Sequence, residues 1–238
     1  MFRIWKLVGG FMFCILSFEF AHSTPSTVYW TPCTPYFQPY MKGHITYDTY
    51  VRTDNAFPIN YGFTVGVLPF EKIQAEVGYD TLLPVVNAND QHYFNIKIGS
   101  SEGKLLPIGF SLGIFSKGIT ANVTDYDIYH LDIGKTFKLG SVSAGFYSGN
   151  KKLLLDEDGK ADNSGFMFGY LSPQFSKFIF AFDYMGGKNS FSAWGFGLYI
   201  YFADNVTLLT GPVFPLAKTF LGGDKMIWTL QLDIDFDL

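Results

Sequence analysis

The sequence lacks most of the devices that staple or anchor an exported protein. It has two cysteines, Cys14 and Cys33. Cys14 lies in an apolar run that reads as a cleaved leader, so the mature chain keeps one thiol and no internal disulfide holds it. Beyond that leader no stretch approaches eighteen consecutive apolar residues, which excludes a transmembrane helix. Basic charge is not in excess either. The formal net charge is -4, whereas a nucleic-acid partner would require a basic face to neutralise phosphates. No serine stands in a recognisable nucleophile context, and no cofactor is expected.

The leader is short. Arg3 and Lys6 precede an apolar run over 7–18, and Ala21-His22-Ser23 then offers small residues at the positions a signal peptidase reads. A dozen or so residues are too few for a helix across a hydrocarbon layer of roughly 30 Å. Bulky Phe13 before Cys14 argues against a lipoprotein cysteine. Residues 1–23 are therefore read as a signal peptide. Residues 24–40 carry Pro25, Pro32, Pro35 and Pro39 without any period and are read as an irregular periplasmic lead-in, packing against nearby strand ends or serving as a short plug.

What the chain does have is aromatic side chains, glycine and alternation. Aromatics make up 19%, with 26 Phe, 15 Tyr and 25 Gly. From Trp228 to the end, Trp228, Leu230, Leu232, Ile234, Phe236 and Leu238 alternate with Thr229, Gln231, Asp233, Asp235 and Asp237. Only a strand has that period, and it gives one oily and one acidic face. The same alternation recurs along 41–238: Ile45, Tyr47 and Val51 against His44, Asp48 and Arg52; Ile73, Val77 and Tyr79 against Glu76 and Asp80; Phe94, Ile96 and Ile98 against Asn95 and Lys97. About twelve such strands are expected, with a bulge near Asp127 to reconcile the two halves of the strand over 125–135. Connections alternate between brief turns (68–71, 138–140, 203–205) and longer polar loops (81–91, 116–124, 149–164), as in a barrel with short periplasmic turns and long extracellular loops. The predicted fold class is an all-β transmembrane antiparallel up-and-down β-barrel over 41–238.

On these features the chain resembles Gram-negative outer-membrane barrels, and is similar to exported bacterial barrel proteins with the same order of segments. In that family the last strand is the signal read by the barrel assembly machinery. Here Trp228, Leu230, Leu232, Ile234 and Phe236 match its apolar positions, and the strand departs from the usual terminal aromatic by ending in Leu238. The resemblance implies the bacterial outer membrane as location and its lipid as partner; it implies no activity.

With that register, His44, Asp48, Arg52, Glu76, Asp80, Lys97, His130, Asp132, Asp183, Asp233, Asp235 and Asp237 face the lumen, with an acidic excess. If water passes, such a lumen concentrates cations; otherwise its charges pair across a closed interior. Inward tyrosines would narrow the path and inward glycines widen it. An enzyme is not expected. His44 and Asp48 stand roughly 13 Å apart along their strand and His130 and Asp132 about 7 Å, too far for direct contact of the backbone positions. In the loop over 149–164, Asp156, Asp158 and Asp162 around Gly159 are a weak match to a calcium loop, with no bidentate Glu at the required distance. The leading expectation is a passive channel for small solutes. The alternative is a closed structural or surface-binding barrel.

Overall fold

The computed structural model describes residues 27–53, 57–83, 88–218 and 224–238. The expected signal peptide falls outside them. Twelve strands follow in chain order: β1 (Lys42–Val51), β2 (Ile59–Gly66), β3 (Gln74–Leu83), β4 (His92–Ser100), β5 (Gly109–Gly118), β6 (Asp125–Phe137), β7 (Gly140–Ser148), β8 (Ser164–Leu171), β9 (Phe178–Met185), β10 (Ala193–Ala203), β11 (Val206–Pro215) and β12 (Ile227–Asp237). Each pairs antiparallel with the next, and β12 closes on β1 in unbroken register from Lys42 opposite Asp237 to Val51 opposite Trp228. Closure leaves no free sheet edge, so every strand finds backbone partners on both sides.

The bulge read near Asp127 is present. The β5–β6 register shifts between Phe115 and Lys117. Asp127 and Ser116 both adopt left-handed backbone, with φ of 44° and 53°, which takes up the extra residue. Loop sorting is less sharp than the alternation suggests. The connections over 138–139 and 204–205 are tight, but 67–73, 101–108 and 172–177 at the same end are longer. The two longest, 149–163 and 216–226, leave from the end opposite the chain termini.

The outer face is apolar. Ile45, Ile96, Leu112, Leu131, Phe146 and Leu198 are all exposed and lie along the strand middles, and Trp228, Leu230, Leu232 and Ile234 continue the belt across the closing strand. Side chains of this kind on a closed barrel face lipid, and the fold is a transmembrane barrel.

The inner face splits into two sectors. On the β9–β12 side Ile179, Ala181, Tyr199, Leu209, Val213 and Ile227 pack into an apolar cluster around Tyr29. A second cluster joins Cys33, Ile128, Tyr147, Leu154, Met167 and Met185. Leu154 belongs to the loop over 149–163, which therefore folds inward over the barrel mouth instead of standing free in solvent. The β1–β4 wall, by contrast, presents His44, Asp48, Glu76 and Lys97 to the interior.

Lipid contact makes a direct prediction. Leu131 is the midpoint of β6 and 55% exposed. Leu131→Arg should lower stability in lipid vesicles by about 2 to 4 kcal/mol, measured by denaturant unfolding, and an Arg at exposed Leu139 in the β6–β7 turn should cost far less.

Candidate functional site

The segment read as a periplasmic lead-in runs, over its described residues 27–39, through the barrel interior. Packing against strand ends alone does not describe it. A chain inside a barrel has no sheet to bond to, so its backbone N–H and C=O groups must find partners on the wall. Its prolines lower that demand, since Pro32, Pro35 and Pro39 have no N–H. The N–H groups of Val28 and Thr34 turn back onto Thr31 O and Pro32 O at 3.0 and 2.7 Å, and side chains of the wall meet much of the remainder. Asp183 Oδ2 accepts the N–H groups of Tyr29, Trp30 and Thr31 at 3.1, 2.8 and 2.8 Å. The Tyr199 hydroxyl donates to the Val28 carbonyl, Gln231 Nε2 to Tyr29 O at 3.1 Å, and the Ser143 hydroxyl to Cys33 O at 2.5 Å. Thr34 O receives both Lys97 Nζ and the Ser111 hydroxyl at 3.3 Å. Gln38 N–H donates to Glu76 Oε2 at 2.8 Å.

Glycines on the wall make room for this segment. A Cβ at Gly195 or Gly197 would meet the Tyr29 ring at 2.6 Å, and one at Gly134 would meet Pro35 at 2.7 Å. Gly134, Gly169, Gly195 and Gly197 are therefore notches that seat residues 28–35, while Gly62 and Gly78 lie against wall side chains instead.

The lumen candidates separate accordingly. Lys97 pairs with Glu76 at 3.1 Å and stands 5.0 Å from the Phe37 ring. His130 Nδ1 contacts Asp132 Oδ2 at 2.6 Å, and Ser111 donates to the same oxygen at 3.0 Å. Backbone spacing along β6 led to the opposite expectation for that pair, but side chains two apart on one strand face lean together here because Gly113 and Gly145 leave space beside them. The serine donates to the carboxylate and not to the imidazole, so the order is not that of a nucleophile and its base. His44 lies between two carboxylates, with Nδ1 2.8 Å from Asp235 and Nε2 3.4 Å from Asp233.

Two candidates leave the interior. Asp237 carries a side chain 84% exposed and pairs with Lys42 at 3.1 Å at the rim, because β12 has run out of barrel there. Arg52 lies beyond β1 and bonds Asp224 at 3.0 Å at the opposite mouth. The Thr53 hydroxyl first, and the Arg52 guanidinium after it, hold the Asp224 carboxyl below the usual carboxylate range. Asp156, Asp158 and Asp162 are not brought together. Asp156 Oδ1 accepts the N–H groups of Asp158 and Lys160, while Asp162 accepts from Lys188 N–H. Among the described residues no group of three acidic, histidine or cysteine side chains is placed to hold a metal.

What remains open is a cleft between the segment and the β1–β4 wall. It encloses about 600 Å³ of unfilled space, part of it open to solvent, bounded by Asp48, Asn60, Thr64 and Asp80 on the wall and by Tyr29 and Trp30 on the segment. A smaller space of about 260 Å³ shares Asn95 and Phe115 with it and reaches Glu76 and Lys97. Asn60 Nδ2 donates to Asp48 Oδ2 at 3.2 Å and to Asp80 Oδ1 at 3.0 Å, and Asn95 Nδ2 donates to Asp80 Oδ2 at 2.5 Å.

No family model matches the chain, and no curated protein matches it. Solved structures do share its architecture. The NanC porin superposes with a TM-score of 0.55 over 82% of this chain and 100% of its own, at 10% identity. The KdgM porin does so with a TM-score of 0.53 over 82% of this chain and 99% of its own, at 5% identity. This chain folds as an outer-membrane barrel. At such identities the likeness carries the architecture and no residue role.

Asn60, Asn95 and Gln38 were not among the sequence candidates, and the stretch 27–39 was read as packing against strand ends or as a short plug, without the contacts it makes. Two signals pointed to them: a proline-rich segment with its own aromatics, and inward glycines on β8 and β10 that would leave holes in any empty barrel. Asp183 is the strongest test of this arrangement. Asp183→Ala leaves three buried N–H groups without an acceptor and should cost on the order of 3 kcal/mol. Hydrogen exchange at Tyr29, Trp30 and Thr31 should rise, read by mass spectrometry, whereas Asp183→Asn keeps an acceptor and should change it less.

Proposed function

We propose that this protein is a narrow passive channel for small solutes in the bacterial outer membrane, in which residues 27–39 and the β9–β12 core restrict passage to the polar cleft along β1–β4. The cleft carries the reading. It runs beside the packed sector, shares Asn95 and Phe115 with the smaller space, and is lined by amides, hydroxyls and carboxylates together with the Tyr29, Trp30, Tyr50 and Phe115 rings, which suits small solutes that carry both a charge and a hydrocarbon part. Asp48 and Asp80 bias it toward cations, because charges on low-dielectric walls raise the local concentration of the opposite sign. The porin neighbours support a channel at the level of fold. Membrane lipid covers the outer belt. The alternating apolar face of β12, from Trp228 to Phe236, serves as the signal for assembly.

Conductance tests the reading. Refolded protein in planar bilayers should show small, cation-preferring unitary currents, and a variant lacking residues 27–37 should show larger ones with weaker selectivity. Absence of current from both proteins would rule out a channel; anion-preferring current from the intact protein would rule out the acidic cleft as its path.

A further inference from the structure

The charge balance around the cleft is uneven. Lys97 is engaged by Glu76, Arg52 by Asp224, and His44 lies between Asp233 and Asp235. Asp48 and Asp80 have no such cation among the described residues. Their recorded donors are the neutral Thr46 hydroxyl and the Asn60 and Asn95 amides. Because one nitrogen of Asn60 donates to both carboxylates, their accepting oxygens lie within about 6 Å of each other, a distance at which like charges inside a protein repel strongly. Asp233, 2% exposed and opposite Thr46 of the cleft wall, faces His44 Nε2 at 3.4 Å, but that imidazole is shared with Asp235, so two carboxylates answer to one ring. Neighbouring carboxylates that meet only neutral donors are relieved by protonation or by a cation brought between them.

The remainder of the lining says which kind. Tyr29, Trp30, Tyr50 and Phe115 face the same space. Aromatic faces attract an ammonium group, best when it is weakly hydrated and desolvated between them. A bare metal ion gathers three or more oxygen ligands closely around it, but each oxygen of Asp48 and Asp80 already accepts an amide or hydroxyl hydrogen, and no metal-holding group is present among the described residues.

We propose that the cleft is a binding site for a small organic cation of the ammonium class, whose charge sits between Asp48 and Asp80 and whose hydrocarbon part lies against the Tyr29, Trp30, Tyr50 and Phe115 rings. The proposal rests on the channel reading only for how solutes reach the site; binding itself does not require that ions cross. The site deepens that reading by naming the class of solute it retains.

Binding is measured on the full refolded barrel in detergent, by calorimetry and by tryptophan fluorescence. The titrants are choline, its uncharged match 3,3-dimethyl-1-butanol, and sodium chloride. Choline should bind saturably, quench fluorescence that Trp30→Phe removes, and outcompete sodium, while the alcohol should not bind. Asp48→Asn and Asp80→Asn, close in shape to the originals, should each weaken choline by about tenfold or more. Heat-modifiable gel mobility reports whether each variant forms a barrel. If an Asn variant fails to do so, Tyr50→Leu replaces it and should weaken choline several-fold while leaving sodium unaffected. No saturable choline binding, equal binding of the alcohol, sodium displacing choline at equal concentration, or affinity unchanged in the variants would each overturn the proposal. Conductance of the same preparation separates the two readings: choline binding without current retains the site and rejects the channel, and current without choline binding does the reverse.

Discussion

Three successive backbone N–H groups, those of Tyr29, Trp30 and Thr31, converge on one carboxylate oxygen of Asp183. A neutral acceptor would take such groups one or two at a time, whereas an ionised oxygen offers stronger, charge-assisted bonds to all three. That contact fixes where the N-terminal segment enters the β9–β12 sector. From it the path of the segment follows: Tyr29 against Gly195 and Gly197, Cys33 carbonyl on Ser143, Thr34 carbonyl on Ser111 and Lys97, and Gln38 on Glu76. Apart from the Tyr29 ring against its two glycines, each of these steps matches a backbone group to a side chain of the wall, as a segment without sheet partners requires.

The segment also changes what the barrel is. Twelve strands can enclose a water path, but here the sector from β6 to β12 is packed as a soluble core would be, with Tyr29, Tyr147 and Tyr199 fully buried. Apolar burial inside the barrel adds stability that an open lumen lacks, and the glycines of the wall are where side chains of the segment interlock with it. Beyond Asp183 and the His130–Asp132 pair, the interior charges gather on the β1–β4 side and the adjoining β12. Most of the ionisable groups there are matched in pairs, Glu76 with Lys97 and His44 with its two aspartates, which is how charge is tolerated away from bulk water.

Asp48 and Asp80 break that pattern, and their position explains why. They lie on the wall opposite the segment, beside the cleft, joined through Asn60. An amide bridge holds two carboxylates in place without neutralising them. Glu76 faces Lys97 and His44 faces Asp233 and Asp235, whereas among the described residues these two acids meet only neutral donors.

Alternation alone determined the barrel. A two-residue period repeated over twelve strands, with lipid-facing side chains such as Leu131 and Ile96 on one side and His44, Asp48 and Asp132 on the other, has a single consistent solution once the sheet must close, and the bulge at Asp127 was legible as a break in that period. Sequence also placed Asp48, Asp80 and Asp183 on the inner face. It could not say what each would meet there, since period fixes a side and not a neighbour across the lumen. Tyr29 bonds to Asp183 across 154 residues of sequence, and nothing in a proline-rich stretch without period reports that distance. The tertiary structure alone decided between strand-end packing and a plug for the N-terminal segment, and decided that Gly134, Gly195 and Gly197 are notches for it, that Asp237 lies at the rim, and that Asp48 and Asp80 share one asparagine. These are long-range contacts set by closure of the sheet around the segment, and only the closed barrel brings them together.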